Sequence, residues 1–509
     1  MPKYYLTTAI DYSNGDPHLG HALEKVGADC IARWRRLRGD DVHFVMGMDE
    51  HSLSVIQAAA KAGVTPRAWV DRMASTFADY WARLRTSQDD WIRTTEPRHI
   101  TAVTTLLERI RERRPDDLYL AHYEGLYCTG CEEFKQAAQI VDGRCAEHPS
   151  LELVHTKEQN YFFRLSAWRD QVLELIQGGR FRVEPGIRRN EVVRLLEAGL
   201  QDVSISRQRQ PWGIPFPGDA GHTVYVWFDA LINYLSATGF PDPAYSRLWP
   251  ADLHIIGKGI TRFHCIIWPA MLLAAGVDLP GMVWAHGYVQ WEGAKMSKTA
   301  GTAVSLSTAI ERHGTDPLRY FLLREVGFEG DGNFTWERFD ARYTADLADT
   351  LGNFVSRVIA MIHRYRAGVV PADAATEPVR AFERATDATL RAYATALDAY
   401  DLQAGADQLI ALAASGNKFV EETTPWKLAK DPGSAATLDA VLACLARTVA
   451  RLAVLAAPFM PEKAEAMWNA LGTGRASADV RFAEMAQLTV AGRTLEKAPI
   501  LFPKPEATN

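Results

Sequence analysis

Residues 4–21 read YYLTTAIDYSNGDPHLGH. Tyr4–Ala9 predicts a strand and Leu19–Leu37 a helix, with Pro17-His18-Leu19-Gly20-His21 at their junction. His18 and His21 stand three apart, so both rings can face one side of the first turn. Gly20 between them leaves room for a flat base to approach the backbone. The helix N-terminus turns its positive dipole end toward a phosphate. Imidazoles placed there can donate hydrogen bonds to a pentavalent phosphorus transition state. Alone, the segment also reads as a helix start with one solvent-facing histidine.

Working outward, Val42–Met46 predicts a second strand, followed by helices near Ser52–Ala62 and Pro66–Leu84. This βαβ rhythm implies an α/β fold with a parallel sheet that binds ligands at the carboxyl ends of its strands. Pro115-Asp116-Asp117 interrupts the rhythm, and residues 118–222 read as an inserted unit. The rhythm resumes with Val224–Trp227, Leu253–Ile256 and Met282–Ala285. After about Trp336 the chain turns helical and Ala-rich as far as Leu471, with loops at Val369–Glu377 and Asp431–Ser434, which predicts a helical bundle. The expected division is 1–117 and 223–290 for the two halves of the α/β domain, 118–222 for the insertion, 291–350 for a connecting region and 351–509 for an all-α domain with a C-terminal tail.

A second motif, Lys295-Met296-Ser297-Lys298-Thr299, lies in a stretch opened by Gly293 and followed by Gly301. A lone KxxK is usually a solvated basic turn. Paired with HLGH, Lys295 and Lys298 can close over a triphosphate on a hinged loop and neutralise a departing pyrophosphate. The two motifs then build one ATP site from distant segments, suited to attack on the α-phosphate.

Cys128-Thr129-Gly130-Cys131 is followed after 13 residues by Cys145-Ala146-Glu147-His148. CxxC and CxxH chelating pairs fit a tetrahedral zinc site, and four protein ligands leave no open position, so the metal is expected to be structural. Gly130 and Gly143 supply the tight turns. The alternative is a set of buried thiols with a chance histidine, which is how Cys30, Cys265 and Cys444 read. Asp49-Glu50-His51 follows the second strand, where Asp49 can hold an α-ammonium group or stand as a surface-loop acid. The aromatic stretches Tyr225–Tyr234 and Phe263–Trp268 read singly as core. Both fall where a doubly wound sheet places its pocket, and together they suit a flexible, polarizable apolar side chain through sulfur–aromatic contact.

The chain has 509 residues, enough for at least three structural units. Its net charge of −6, from 56 basic and 62 acidic residues, announces no nucleic-acid partner; any RNA must be met by a local surface. The start has no basic n-region with an apolar run behind it. No apolar run approaches the roughly 18 residues of a membrane span, because Leu452–Met460 stops at Pro461. A cytoplasmic protein without a membrane partner is expected.

Together these residues resemble the methionyl-tRNA synthetases, members of the class I aminoacyl-tRNA synthetases whose signature pair is written HIGH and KMSKS. The resemblance runs through AIDYSNGDPHLGH, NYFFRLS (Asn160–Ser166), RRNEV (Arg188–Val192), GLQDVSISR (Gly199–Arg207), HIIGKGITRFHCIIWPA (His254–Ala270), KMSKT, DLADTLGNFVSR (Asp346–Arg357) and Pro425-Trp426. It implies a Rossmann-like catalytic domain with an inserted zinc-knuckle domain, then an all-α anticodon-binding bundle. Leucyl, isoleucyl and valyl relatives carry a larger editing insertion than residues 118–222 allow. The implied activity joins L-methionine to ATP as methionyl adenylate, with Mg²⁺ on the nucleotide, and then charges the 3′ end of tRNA(Met), initiator tRNA included.

The resemblance also implies roles. His18, Gly20, His21, Lys295 and Lys298 would bind ATP. Asp49, Ile10, Tyr12, Trp227, Leu231, Tyr234, His264 and Trp268 would bind methionine. Cys128, Cys131, Cys145 and His148 would hold one zinc, and Asn353, Arg357 and Trp426 would read the CAU anticodon. The chain departs from the family at Gly259, where an acid in GKDI usually helps to hold the ribose. It also departs at Thr299, Thr302 and Ser52, where Ser, Asn and Gly are common. A monomer is expected, since only a short tail follows Leu501-Phe502-Pro503. Two rivals remain: a synthetase or nucleotidyltransferase for another substrate, and an RNA-binding paralogue without catalysis.

Overall fold

The computed structural model describes residues 1–130, 133–135, 140–146, 149–208, 210–291, 294–295, 304–497 and 500–504, with the side chains of Glu133, Ala294 and Lys295 left aside. Among these, seven strands form one parallel sheet. Its order is Arg182–Glu184, Met282–His286, Leu253–Gly257, Lys3–Thr8, Asp41–Asp49, with Asp90–Arg93 and the short Asp11–Tyr12 also pairing to Asp41–Asp49. The strands are apolar because both faces are covered. Alternate residues feed different layers: Leu6, Phe44 and Met46 point into one core, Tyr5, Val45 and Ile92 into the other.

From Lys3–Thr8 the chain first builds outward to Asp41–Asp49 and later returns on the opposite side as Leu253–Gly257. The crevice at the carboxyl ends of these strands is the switch point where such sheets take ligands. The helix Leu19–Arg38 starts at its rim and ends on Gly39, whose φ of 97° is the left-handed conformation that closes a helix.

The structure corrects three expectations. Val224–Trp227 is not a strand of the parallel sheet. Asp219–Val224 pairs antiparallel with Ser206–Gln208 and Pro215–Phe216, and Val226–Leu231 is helical. An apolar run buried on all sides carries no period that separates helix from strand. Residues 118–222 are not one insertion either. The hairpin Leu118–Cys128 with Val154–Phe163 projects from the core, but Arg182–Glu184 then joins the edge of the main sheet. Finally, the boundary at 350 falls inside a helical run, since Trp336–Arg342, the π-wound Tyr343–Gly352 and Asn353–Arg366 follow without a break.

Behind the sheet, Glu377–Asp398, Leu402–Thr423 and Ala435–Ala456 form the bundle. The C-terminal segment packs back on it: Val370 N–H donates to Arg493 O at 2.9 Å, Leu495 N–H to Gly368 O at 2.8 Å, and Leu501 and Phe502 are buried. Among the described residues no helix is long and apolar enough to cross a membrane.

Candidate active site

A cavity of about 360 Å³ opens at the switch point. Its first wall is the helix start. His18 is the N-cap residue: Gly20 N–H donates to His18 Nδ1 at 3.1 Å, and His18 N–H donates to His21 Nδ1 at 3.2 Å. This reciprocal cap satisfies backbone donors that a helix start leaves open. It also fixes chemistry. With each Nδ1 accepting, a neutral ring carries its proton on Nε2. The rings stack 3.9 Å apart at 23°. Gly20 has a reason beyond the one read from sequence, since a Cβ there would come 2.9 Å from the His18 ring.

The second wall is aromatic. Trp227 stacks on Phe263 at 4.1 Å and 12°, and Tyr12 meets Trp227 edge-on at 5.5 Å. Ala230, Leu231, Tyr234 and His264 continue the lining. His264 sits in the π-turn Phe263–Ile267, and burial pushes its ring down to about 4, so it is neutral. Its Nδ1–H donates to Ile260 O at 3.0 Å, which leaves Nε2 to accept from Tyr234 Oη at 2.6 Å. A fully satisfied, uncharged pair of this kind keeps the wall apolar in character.

Ile10, Tyr12 and Asp49 line the cavity between the two walls, and Asp49 is only 2% exposed, so it is not a surface-loop acid. Trp268 does not line it. Fully buried, Trp268 backs Tyr234 at 6.1 Å, and its Nε1–H points at His254 Nε2 at 3.4 Å. Gly257, Gly259, Ile260, Gly287 and Tyr288 make the third end. Gly130 and Lys135 reach the cavity from the projecting hairpin region.

Lys298, Cys131 and His148 lie outside the described residues, as do Thr299 and Thr302. The backbone of Lys295 pairs with Gln290, and Ser305 bridges to His18. Cys128 ends the strand Leu118–Cys128 and Cys145 ends the short strand Arg144–Cys145; both side chains are buried. Gly143, at φ 76°, sits in the turn between Ile140–Val141 and Arg144–Cys145, and among the described residues no three His, Cys, Asp or Glu side chains gather as a metal site. Ser52 caps the helix Leu53–Lys61, its Oγ accepting from Val55 N–H at 3.1 Å. Asn353 and Arg357 occupy one face of Asn353–Arg366, and Arg357 pairs with Glu421 at 2.6 Å, which joins that face to the end of Leu402–Thr423, just before half-buried Trp426.

Reading the sequence missed a charged layer beneath the histidines. Lys25, fully buried, bonds Ala9 O at 2.6 Å, Glu24 Oε1 at 2.6 Å and Asp11 Oδ1 at 3.0 Å, and Glu24 Oε2 meets His286 Nε2 at 3.1 Å. Burial pushes Asp11 up to about 7 against the pull of Lys25. Asp11, Glu24 and His286 all line the cavity. A second buried network braces the aromatic wall: Asp229 accepts from His51 Nδ1 at 2.7 Å and His99 Nε2 at 2.5 Å. Burial would raise the Asp229 carboxyl, but the two imidazoles outweigh it and hold it below its ordinary range.

A histidine pair on the first helix of a parallel sheet, a returning segment beside it and a helical bundle behind are the build of a class I aminoacyl-tRNA synthetase. The family described as tRNA synthetases class I (M) matches residues 4–152 and 139–359, and the anticodon binding domain of methionyl tRNA ligase matches 370–509. The chain belongs to the methionyl-tRNA synthetase family. It is 38% identical to the methionine–tRNA ligase of Streptomyces coelicolor, over 99% of this chain and 97% of that one. It is 40% identical to that of Brucella melitensis, over 98% and 96%. The solved Mycobacterium tuberculosis methionyl-tRNA synthetase in complex with methionyl-adenylate superimposes with a TM-score of 0.94 at 38% identity, covering 99% of this chain and all of that one.

Proposed function

We infer that the enzyme activates L-methionine with ATP, releasing pyrophosphate, and transfers the methionyl group from the adenylate to the 3′ end of tRNA(Met) for protein synthesis. The observation that carries this is the pair of capped imidazoles at the switch point, one wall of a cavity whose other wall is aromatic and uncharged. The amino-acid carboxylate attacks the α-phosphorus in line. His18 and His21 turn Nε2–H donors toward the phosphate oxygens as negative charge spreads over them. The gain comes from positioning and preorganised donors, with no covalent enzyme intermediate. Lys295 and Lys298 neutralise the departing pyrophosphate, and Mg²⁺ arriving with ATP supplies further charge at the phosphate oxygens.

Asp49 holds the substrate ammonium, a buried carboxylate being a strong partner for a cation it desolvates. Ile10, Tyr12, Trp227, Leu231, Tyr234 and His264 take the side chain by apolar and sulfur–aromatic contact. Trp268 supports Tyr234 from behind. Cys128, Cys131, Cys145 and His148 hold one structural zinc in a knuckle carried by the hairpin from residue 118 to residue 163. Asn353, Arg357 and Trp426 read the CAU anticodon of initiator and elongator tRNA. The enzyme works as a cytoplasmic monomer.

The test is methionine-dependent ATP–pyrophosphate exchange on purified protein, alongside the other apolar amino acids and homocysteine. Exchange with methionine above all others is expected. Exchange driven best by another amino acid overturns the substrate, and tRNA binding without any exchange favours the non-catalytic paralogue.

A further inference from the structure

We propose that the Tyr288 hydroxyl, laid across Gly259, recognises the ribose of ATP in this enzyme. The proposal deepens the reading of the cavity as the ATP–methionine site and rests on it. If the α-phosphate meets His18 and His21 and the methionine side chain fills the aromatic wall, the nucleoside falls at the third end. Gly257, Gly259 and Gly287 line that end with backbone alone. Tyr288 brings a hydroxyl to the same end.

Gly259 and Tyr288 fit each other. A Cβ at position 259 would lie 2.1 Å from Tyr288 Oη but 3.4 Å from Cζ, so any side chain there collides with the hydroxyl and merely touches the ring. The phenol is also held in place. Tyr288 N–H donates to Asp331 Oδ1 at 2.9 Å, and Lys258 bonds Asp331 Oδ2 at 2.7 Å while its Nζ sits 4.7 Å over the Tyr288 ring. Gly287 is pressed against the neighbouring chain, since a Cβ there would come 2.0 Å from Gly330 O. The ring is therefore fixed at its backbone, by a cation on its face and by the close packing of Gly287 on Gly330 before it. A rigid hydroxyl at a sugar-sized opening is a preorganised partner for a ribose hydroxyl.

The experiment measures kcat/KM for ATP, 2′-deoxy-ATP and 3′-deoxy-ATP in methionine-dependent pyrophosphate exchange, for wild type, Tyr288→Phe, Gly259→Ala and the double variant. Tyr288→Phe is expected to lose about tenfold with ATP, the loss of one hydrogen bond. It should lose less than about twofold with whichever deoxy analogue lacks the recognised hydroxyl, because that bond is already missing. Gly259→Ala should match the Tyr288→Phe loss in the wild-type background and add little in the Phe background, where the colliding atom is gone. An equal loss on all three nucleotides, no loss with ATP, or losses that multiply in the double variant would overturn the assignment. Wild-type protein that exchanges with no amino acid would instead overturn the function, and this proposal with it.

Discussion

His18 and His21 cap the same helix start with their rings, His18 N–H donating to His21 Nδ1 at 3.2 Å and Gly20 N–H to His18 Nδ1 at 3.1 Å. One set of bonds thus serves fold and chemistry together. Removing His21 should cost little stability, about 1 kcal/mol for a lost cap interaction. It should cost much more catalysis, because a donor aimed at the transition state disappears. His21→Ala is expected to slow adenylate formation at least about tenfold, within the range for one lost oxyanion donor. Single-turnover kinetics beside thermal unfolding checks this. A rate that drops only as far as the folded fraction drops would make His21 a structural cap alone.

Arg319 and Asp29 tie the catalytic half to the bundle. Both are fully buried, with Nη2 to Oδ2 at 2.7 Å. Arg319 also bonds Leu84 O at 2.9 Å, Pro458 O at 3.0 Å and Phe459 O at 3.0 Å. Arg319→Met takes one partner from a buried carboxylate that keeps Arg33 and Ser87, and leaves the buried Leu84, Pro458 and Phe459 carbonyls without their guanidinium donor, so it should destabilise the protein by about 3–5 kcal/mol. The pair also sets an acid limit. Burial would raise Asp29, but Arg33, Arg319 and Ser87 outweigh it and hold it at about 2. A depressed carboxyl stabilises the fold above its unfolded value near 4 and loses that contribution as pH falls toward 2. Chemical denaturation between pH 7 and pH 3 should show a steeper acid loss in wild type than in Arg319→Met. Parallel curves would mean that the pair is not coupled to unfolding.

Much of this was legible in the sequence, for identifiable reasons. The strand Lys3–Thr8 and helix Leu19–Arg38 lie within a residue or two of expectation because period, polarity and junction all agree there. Arg182–Glu184 was invisible: three residues with one apolar member join the main sheet only through pairing to Met282–His286, a hundred positions on. Lys25 gave no signal for a different reason. A charged helix residue reads as solvated, and only the fold brings Asp11 and Glu24 around it. Glu24 itself had a signal, three positions past His21 on the same helix face. So did Tyr288, two residues beyond the strand end that faces the ligand crevice.

Cys128 and Cys145 should hold metal together with Cys131 and His148. Elemental analysis of protein purified without chelator is expected to find about one zinc per chain, and Cys145→Ala far less. Since Gly130 and Lys135 from this region line the cavity, zinc removal should also disturb methionine activation. Metal-free protein that stays folded with unchanged exchange would end the knuckle assignment.

Trp426 follows Thr424, whose φ of 43° puts a left-handed turn between Leu402–Thr423 and Pro425–Leu428. Pro425 is buried and anchors the turn, while Trp426 stays half-exposed, packed in part against the bundle core. A rigid aromatic at an exposed turn suits stacking on an unstacked anticodon base, worth about 1–3 kcal/mol per base. Trp426→Ala should therefore lower kcat/KM for tRNA by about tenfold or more, and leave methionine-dependent exchange unchanged, because the cavity lies in the other domain. Arg357→Ala should act in the same direction and also release Glu421. Aminoacylation with a tRNA(Met) transcript carrying an altered anticodon completes the test. If wild type and Trp426→Ala discriminate equally against it, Trp426 supports the bundle and does not read the RNA.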